Sequence, residues 1–403
     1  MRVSTAQFYQ QSSLQMSSKT SDVNEQMAYL TSGKRVLTAK DDAVQYGTLV
    51  AYKESLANIE KYQRNITLAE SHNSLQEIVF ADAETILDQV KQDMLLANNG
   101  RMSTEDLQSL ATQTRNNFSQ LLDIANSQDA NGDYIFSGYQ TEQKPFSQQV
   151  DGSVFYSGDT GVNELPVAKN INVTTNQTGD AAFLKVANSI GDFKASYNVN
   201  NTSDVAVESA NITNRNTYNA STIPHNYTFT FGPGAAELDV VDGGVSVYNT
   251  TSYVAGQNIP LSNGVDVTLS GNPLPDDTFT LSEQEDISIF ETINDAIAWM
   301  ESGSVSTNQK QHQVDYNSIL NQLNSAMTHI TSRRVDSGIR LQVLESQKSR
   351  HLDSALNISS SKSNIEDLDF AKAISEFEQS KVALQASQQA FSKIQNLTLF
   401  NYI

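Results

Sequence analysis

Apolar residues recur along this chain at three distinct spacings, and each spacing predicts a different kind of element. Leu49, Tyr52, Leu56, Ile59 and Ile66, then Leu75, Val79, Ile86, Val90 and Met94, are separated by threes, fours and sevens. That puts them on one face of a long helix. Asn98-Asn99-Gly100 predicts its end, and Ser103 or Thr104 the cap of a second helix that returns along Leu107, Leu110, Phe118, Leu121 and Ala125. Matching helices are predicted over Ile287 to Met300 and along Val314, Leu320, Leu323, Met327, Ile330, Leu341 and Leu344. The second spacing is strict alternation, in Tyr227 to Phe231, Val265 to Leu269 and Thr278 to Leu281, which predicts half-buried strands. The third is a repeat of seven at the two ends, through Tyr9, Met16, Val23, Leu30 and Leu37 and through Phe370, Phe377, Leu384 and Phe391. Sevens are the spacing of a coiled-coil seam, and two seams at opposite ends predict pairing with each other.

Proline and glycine draw the boundaries. All seven prolines fall between Pro145 and Pro275, and 12 of the 19 glycines lie between Gly152 and Gly271. Proline costs about 3 kcal/mol inside a helix, so the proline-free flanks are free to form long helices. Asp151-Gly152, Asp242-Gly243 and Asn263-Gly264 supply the left-handed conformations of tight hairpins. The fold predicted is mainly α with a β-rich insert: a discontinuous long-helix bundle whose terminal arms pair, plus a central all-β domain. The arms are placed at 1–45 and 359–403, the bundle at 46–140 and 284–358, and the β domain at 141–283. The N-terminal arm is rich in Ser and Gln, so its isolated helicity is marginal, and both arms are expected to order only on assembly.

Charge and chemistry mostly exclude. Lys and Arg number 26 against 46 Asp and Glu, a net charge of −20 that repels phosphate backbones, so nucleic acid is not an expected partner. Cysteine is absent, which removes thiolate nucleophiles and cysteine-ligated metals. Met1 to Gln15 lacks the apolar core of a cleaved signal peptide, and no stretch reaches the roughly 18 apolar residues of a membrane span. The five histidines include no H-E-x-x-H. Gly33-Lys34 fails as a phosphate loop because Ala28 and Arg35 stand where glycine and Ser/Thr are needed, and Ser359 to Lys362 is an isolated S-x-x-K string. Asn172-Val173-Thr174 and Asn226-Tyr227-Thr228 are glycan-type triplets of the sort a polar β surface produces by chance. No catalytic, cofactor or metal site is expected.

One polar cluster stands out. Leu30 to Ala43, LTSGKRVLTAKDDA, sets Lys34, Arg35 and Lys40 with Asp41 and Asp42 around a break at Gly33. Its minimal reading is a solvated bend between helices, the cations pairing locally with the two aspartates or reaching acidic patches on neighbouring copies. This segment closely resembles the N-terminal signature of the bacterial flagellin family, and Phe370 to Ile403, FAKAISEFEQSKVALQASQQAFSKIQNLTLFNYI, resembles the family's C-terminal helix. Within the family, Met1 to Thr5, Gly132 to Thr141 (GDYIFSGYQT) and Leu399 to Ile403 are more similar to the members that join hook to filament than to filament subunits.

The resemblance implies a structural, non-enzymatic protein of the extracellular flagellum, exported unfolded through the flagellar type III apparatus. A dedicated export chaperone would hold its C-terminal arm. It further implies a ring of copies between hook-associated protein 1 and flagellin, with no membrane insertion. Met16, Val23, Leu30, Leu37, Phe370, Phe377, Leu384 and Phe391 are the expected assembly interface, with Gly33, Lys34, Arg35, Lys40, Asp41 and Asp42 as its bend. A filament flagellin is the alternative, and a secreted protein with an adhesive or enzymatic central insert a further one. The protease form of that insert needs H-E-x-x-H, whereas the central His225 precedes Asn226.

Overall fold

The computed structural model describes residues 2–100, 102–198, 200–220, 224–234, 236–303 and 308–400. Met1, at the head of one terminal signature, and Asn401, Tyr402 and Ile403, at the tail of the other, lie outside the described residues. The N-terminal elements are helices α1 (Arg2–Ser32), α2 (Ala43–Ala97) and α3 (Thr104–Ala125). Strands β1 (Phe146–Gln148), β2 (Val154–Tyr156), β3 (Glu164–Ala168), β4 (Ile171–Thr174) and β5 (Val186–Ala187) follow, with a π turn over Asp180–Leu184. Then come β6 (Phe193–Tyr197), β7 (Ala206–Ile212), α4 (Arg215–Tyr218), β8 (Asn226–Phe231), β9 (Leu238–Asp242) and β10 (Val245–Thr250). The chain continues through β11 (Asn258–Leu261), β12 (Val265–Ser270), β13 (Thr278–Glu283), β14 (Asp286–Ile287), α5 (Ile289–Ser302), α6 (Gln309–Glu366) and α7 (Phe370–Phe400).

Local chemistry explains the boundaries. Ser103 caps α3 in a reciprocal box with Asp106, which satisfies donors the helix cannot satisfy itself. Gly243 and Gly244 both sit at positive φ in the two-residue turn between β9 and β10, and Gly264 does so ahead of β12. A Cβ on Gly264 would also come within 2.7 Å of the Asn214 carbonyl oxygen, so that turn excludes a side chain twice over.

The chain divides into two compact units, Met1–Arg64 with Ser346–Ile403, and Asn65–Glu345. The first therefore runs well past the arms expected at 1–45 and 359–403. In the second, α3 and α5 pack on each other, and Phe80, Leu87, Val90, Phe118, Leu121, Phe290, Ile293 and Leu323 lie in one buried core. The expected β span, 141–283, does not behave as one body. Phe146 of β1, Phe183 of the π turn and Val186 of β5 belong to the helical core. The Phe183 ring stands 5.2 Å from Phe136, 5.6 Å from Phe146 and 6.0 Å from Phe290. The β3–β4 hairpin packs Val167 and Val173 on Ile66, Ala69 and Leu344, and the Asn73 and Gln76 amides donate to the carbonyls of Thr174 and Thr175.

Among the described residues of that span, only Phe193 to Leu281 has a core of its own. It is shared by an antiparallel sheet of order β10-β9-β8-β13-β6 and a second of order β11-β12-β7. The alternation reading missed the division because period two says that a strand is half-buried, not what buries it. A two-residue stem, β5 paired antiparallel with β14, marks where the chain leaves the helical core and returns.

Candidate assembly interface

The bend and the seam meet in the first unit. Helix α1 stops at Gly33, whose φ of +67° is the left-handed closing conformation and whose amide donates to Tyr29 O at 2.9 Å. The Phe370 ring lies over it, 3.5 Å from where a Cβ would stand. The chain then makes a short antiparallel bridge, Lys34 opposite Asp367, with the turn that joins α6 to α7. Arg35 N donates to Glu366 O at 2.8 Å and Leu368 N donates to Gly33 O at 3.0 Å. Arg35 also donates from its guanidinium to Ile365 O and to the Gln45 side chain. Two segments from opposite ends of the sequence thus form one clasp.

Glu366 is the centre of it. Its side chain is only 5% exposed, with Lys34 Nζ at 2.7 Å, Lys362 Nζ at 3.4 Å and Lys53 Nζ at 3.6 Å. Burial alone would raise its carboxyl, but the Lys34 hydrogen bond and the Lys362 and Lys34 charges outweigh it and hold the group below the ordinary glutamate range. Sequence reasoning passed over Glu366; the signal for it was the four-residue spacing from Lys362, which alone is worth a few tenths of a kcal/mol.

Pairing of the cations with Asp41 and Asp42, one of the two alternatives for the bend, is not what the fold makes. Asp41 accepts from Thr38 N at 2.8 Å and Leu37 N at 2.9 Å, and Asp42 caps α2 by accepting from Val44 N and Gln45 N. Both carboxylates are therefore occupied by backbone donors, and the cations go elsewhere. Lys34 goes to Glu366, and Lys40 stands 3.6 Å from Glu25 in an exposed pair of little energetic weight. The Thr38 and Leu37 amides hold the Asp41 carboxyl below its ordinary range, with Tyr29 adding a hydrogen bond.

Along the arms, Met16, Val23, Leu30, Leu37, Phe377, Leu384 and Phe391 are half-buried, whereas Phe370 is exposed over Gly33. Tyr9 meets Phe391 edge-on at 5.8 Å, at the far end from the Gly33 and Phe370 contact, so α1 and α7 run antiparallel. Helices α1 and α7 pack on each other, and Met16, Val23, Leu30, Phe377, Leu384 and Phe391 lie half-buried along them. Leu14, Met27, Ile374 and Val382, off the seam, remain exposed. A shallow groove on α7 includes Ser375, Gln379, Val382 and Ala386.

Glu366→Gln should loosen the clasp. Removing the charge leaves three ammonium groups without their shared counter-ion, at a cost of about 1–2 kcal/mol once solvent screening of the partly exposed lysines is allowed for. The wild-type stabilisation is complete above the ordinary glutamate value of about 4.3 and is lost as pH falls through the lowered value of the folded state. Amide exchange at Arg35 and Leu368 should accelerate in the variant at neutral pH. Unchanged protection there would refute the role given to this carboxylate.

Among the described residues no helix is long and apolar enough to cross a membrane, and no group of three or more His, Asp or Glu side chains is placed to hold a metal. Residues 3–141 match the bacterial flagellin N-terminal helical region, and residues 320–403 the bacterial flagellin C-terminal helical region. Flagellar hook-associated protein 3 of Escherichia coli (strain K12) is 26% identical over 403 residues, 99% of each chain. The crystal structure of the flagellar junction protein FlgL from Legionella pneumophila has a TM-score of 0.64 at 30% identity, covering 80% of this chain and 100% of that one. A structure of flagellar hook associated protein-3 from the same organism has a TM-score of 0.67 at 29% identity, over 78% of this chain and 98% of that one.

Proposed function

The chain belongs to the bacterial flagellin family, and from that premise we propose that it is the adaptor subunit joining the flagellar hook to the filament. The observation that carries this reading over a filament subunit is the likeness to hook-associated protein 3 along 99% of both chains. In this reading, copies of the chain form a ring, with hook-associated protein 1 on one face and flagellin on the other. The C-terminal arm is held by an export chaperone until the protein passes through the flagellar export apparatus to the outside. It acts by shape and contact, without catalysis.

The clasp supports the reading physically. An adaptor must keep its two arms as one element while presenting different faces to different neighbours. The α1–α7 seam covers part of the heptad positions internally, and the exposed Leu14, Met27, Phe370, Ile374 and Val382 supply apolar surface for those neighbours. The arms over 1–45 and 359–403 gain their final order when that surface is covered.

Cells lacking this protein should retain hooks, carry no filaments and release flagellin into the medium. Electron microscopy of the cells and immunoblots of the supernatant read both outcomes. Normal filaments in its absence, or long filaments grown from the purified protein alone, would assign it to the filament instead.

A further inference from the structure

In the second unit, β6 lies beside α5 and α6 across a cleft of about 430 Å³ lined by Lys194, Tyr197, Asp295, Trp299, Asp315 and Gln322 among others. Its charges do not balance. The Lys194 ammonium is taken by Glu291 and stands 3.9 Å from Asp295, while the hydrogen-bond donor to the Asp315 carboxylate is the Gln311 amide, at 3.2 Å. Burial pushes the carboxyls of Asp295 and Asp315 up, the Lys194 charge opposing this at Asp295 only, so Asp315 has no cation partner among the described residues. Independently, Gln322 is 8% exposed, faces the cleft and makes no side-chain hydrogen bond among the described residues. Its amide lines the cleft with no protein partner among the described residues and is therefore available to a group that enters.

We propose that this cleft binds an organic cation, an ammonium or guanidinium group that takes up Asp315 and Asp295 and donates to the Gln322 amide oxygen. The carboxylates repel anions, and the donor set offers no three-ligand metal site among the described residues. The volume is that of a small-molecule cleft rather than of a bare ion. Trp299, its ring stacked on His312 at 4.2 Å, adds an indole to the wall, the aromatic group best suited to cations.

Trp299 is also the sole tryptophan of the chain, so its emission reports on this cleft alone. The full-length protein should show a saturable change in emission on titration with agmatine or with a blocked Gly-Arg-Gly peptide, and none with sodium chloride at matched ionic strength. Tighter binding of agmatine identifies a free cation as the source; tighter binding of the peptide identifies an exposed basic side chain of another protein. Asp315→Asn should weaken the better ligand about tenfold, the loss expected for one charge-assisted hydrogen bond, and Gln322→Leu should weaken it with the melting curve unchanged. No saturable response to either probe, or equal affinity in both folded variants, would overturn the proposal.

Discussion

Excising residues 189–284, with a short Gly/Ser linker from Asn188 to Glu285, should leave a protein that still melts cooperatively, whereas removing 145–280 should not. The second cut is the longer, but what separates the two is the core on which each falls. The first begins and ends at the β5–β14 stem, where Asn188 N already donates to Glu285 O at 3.0 Å, so the linker joins backbone that is adjacent in the fold. It removes the whole sheet core from Phe193 to Leu281 and nothing from the helical one. The second takes Phe146, Phe183 and Val186 out of the helical core. Two buried phenylalanines at about 3–5 kcal/mol each rival the roughly 5–15 kcal/mol that stabilises a typical domain. Circular dichroism melts of the two variants decide the matter, and indistinguishable curves would mean that the cores are wrongly divided.

A single substitution should reproduce much of that loss. Phe183 is fully buried in the π turn and reaches Phe80, Phe136, Phe146 and Phe290 with its ring. Phe183→Ala leaves a cavity among four aromatic rings that are fixed to different elements and so cannot collapse into it together. The expected cost is about 3–5 kcal/mol, which for a unit of this size lowers the melting temperature by roughly 10 °C. Phe155→Ala is the control, since Phe155 is 57% exposed in the neighbouring hairpin. Equal shifts in the two variants would remove Phe183 from its place in the core.

What the sequence disclosed follows the range of the interactions involved. Helices such as α2 and α3 were legible because their apolar face repeats within a single turn or two, and Ser103 announced a cap that only needs Asp106 three residues on. The β9–β10 turn was legible through Asp242-Gly243, because positive φ is a property of one residue. Phe146 and Phe183 were assigned to the wrong body because nothing within a few positions of them distinguishes a sheet partner from a helical one. At the bend, Gly33, Asp41 and Asp42 stood out by type, yet the partner of Lys34 could not be named. Glu366 looks like any helix-surface acid until the chain is folded, and its burial comes from elements far away in sequence. The seam was legible as a repeat, and its antiparallel sense was set by contacts, Tyr9 with Phe391 and Gly33 with Phe370, that no repeat encodes.

The antiparallel bridge between Lys34 and Asp367 also imposes an order of events. Arg35 and Ile365, joined within it, are 330 residues apart. Closing so long a loop from an unfolded chain costs about 5 kcal/mol in the length-dependent part of its entropy. Packing of α2 and α6 into one core beforehand removes most of that length. For a chain delivered from its N-terminus, the stripe along α1 therefore stays uncovered while everything between is made and folded, and it finds its partner only after residue 366 has emerged. The clasp is thus a late event by construction, and the first helix of the protein is among the last to be secured.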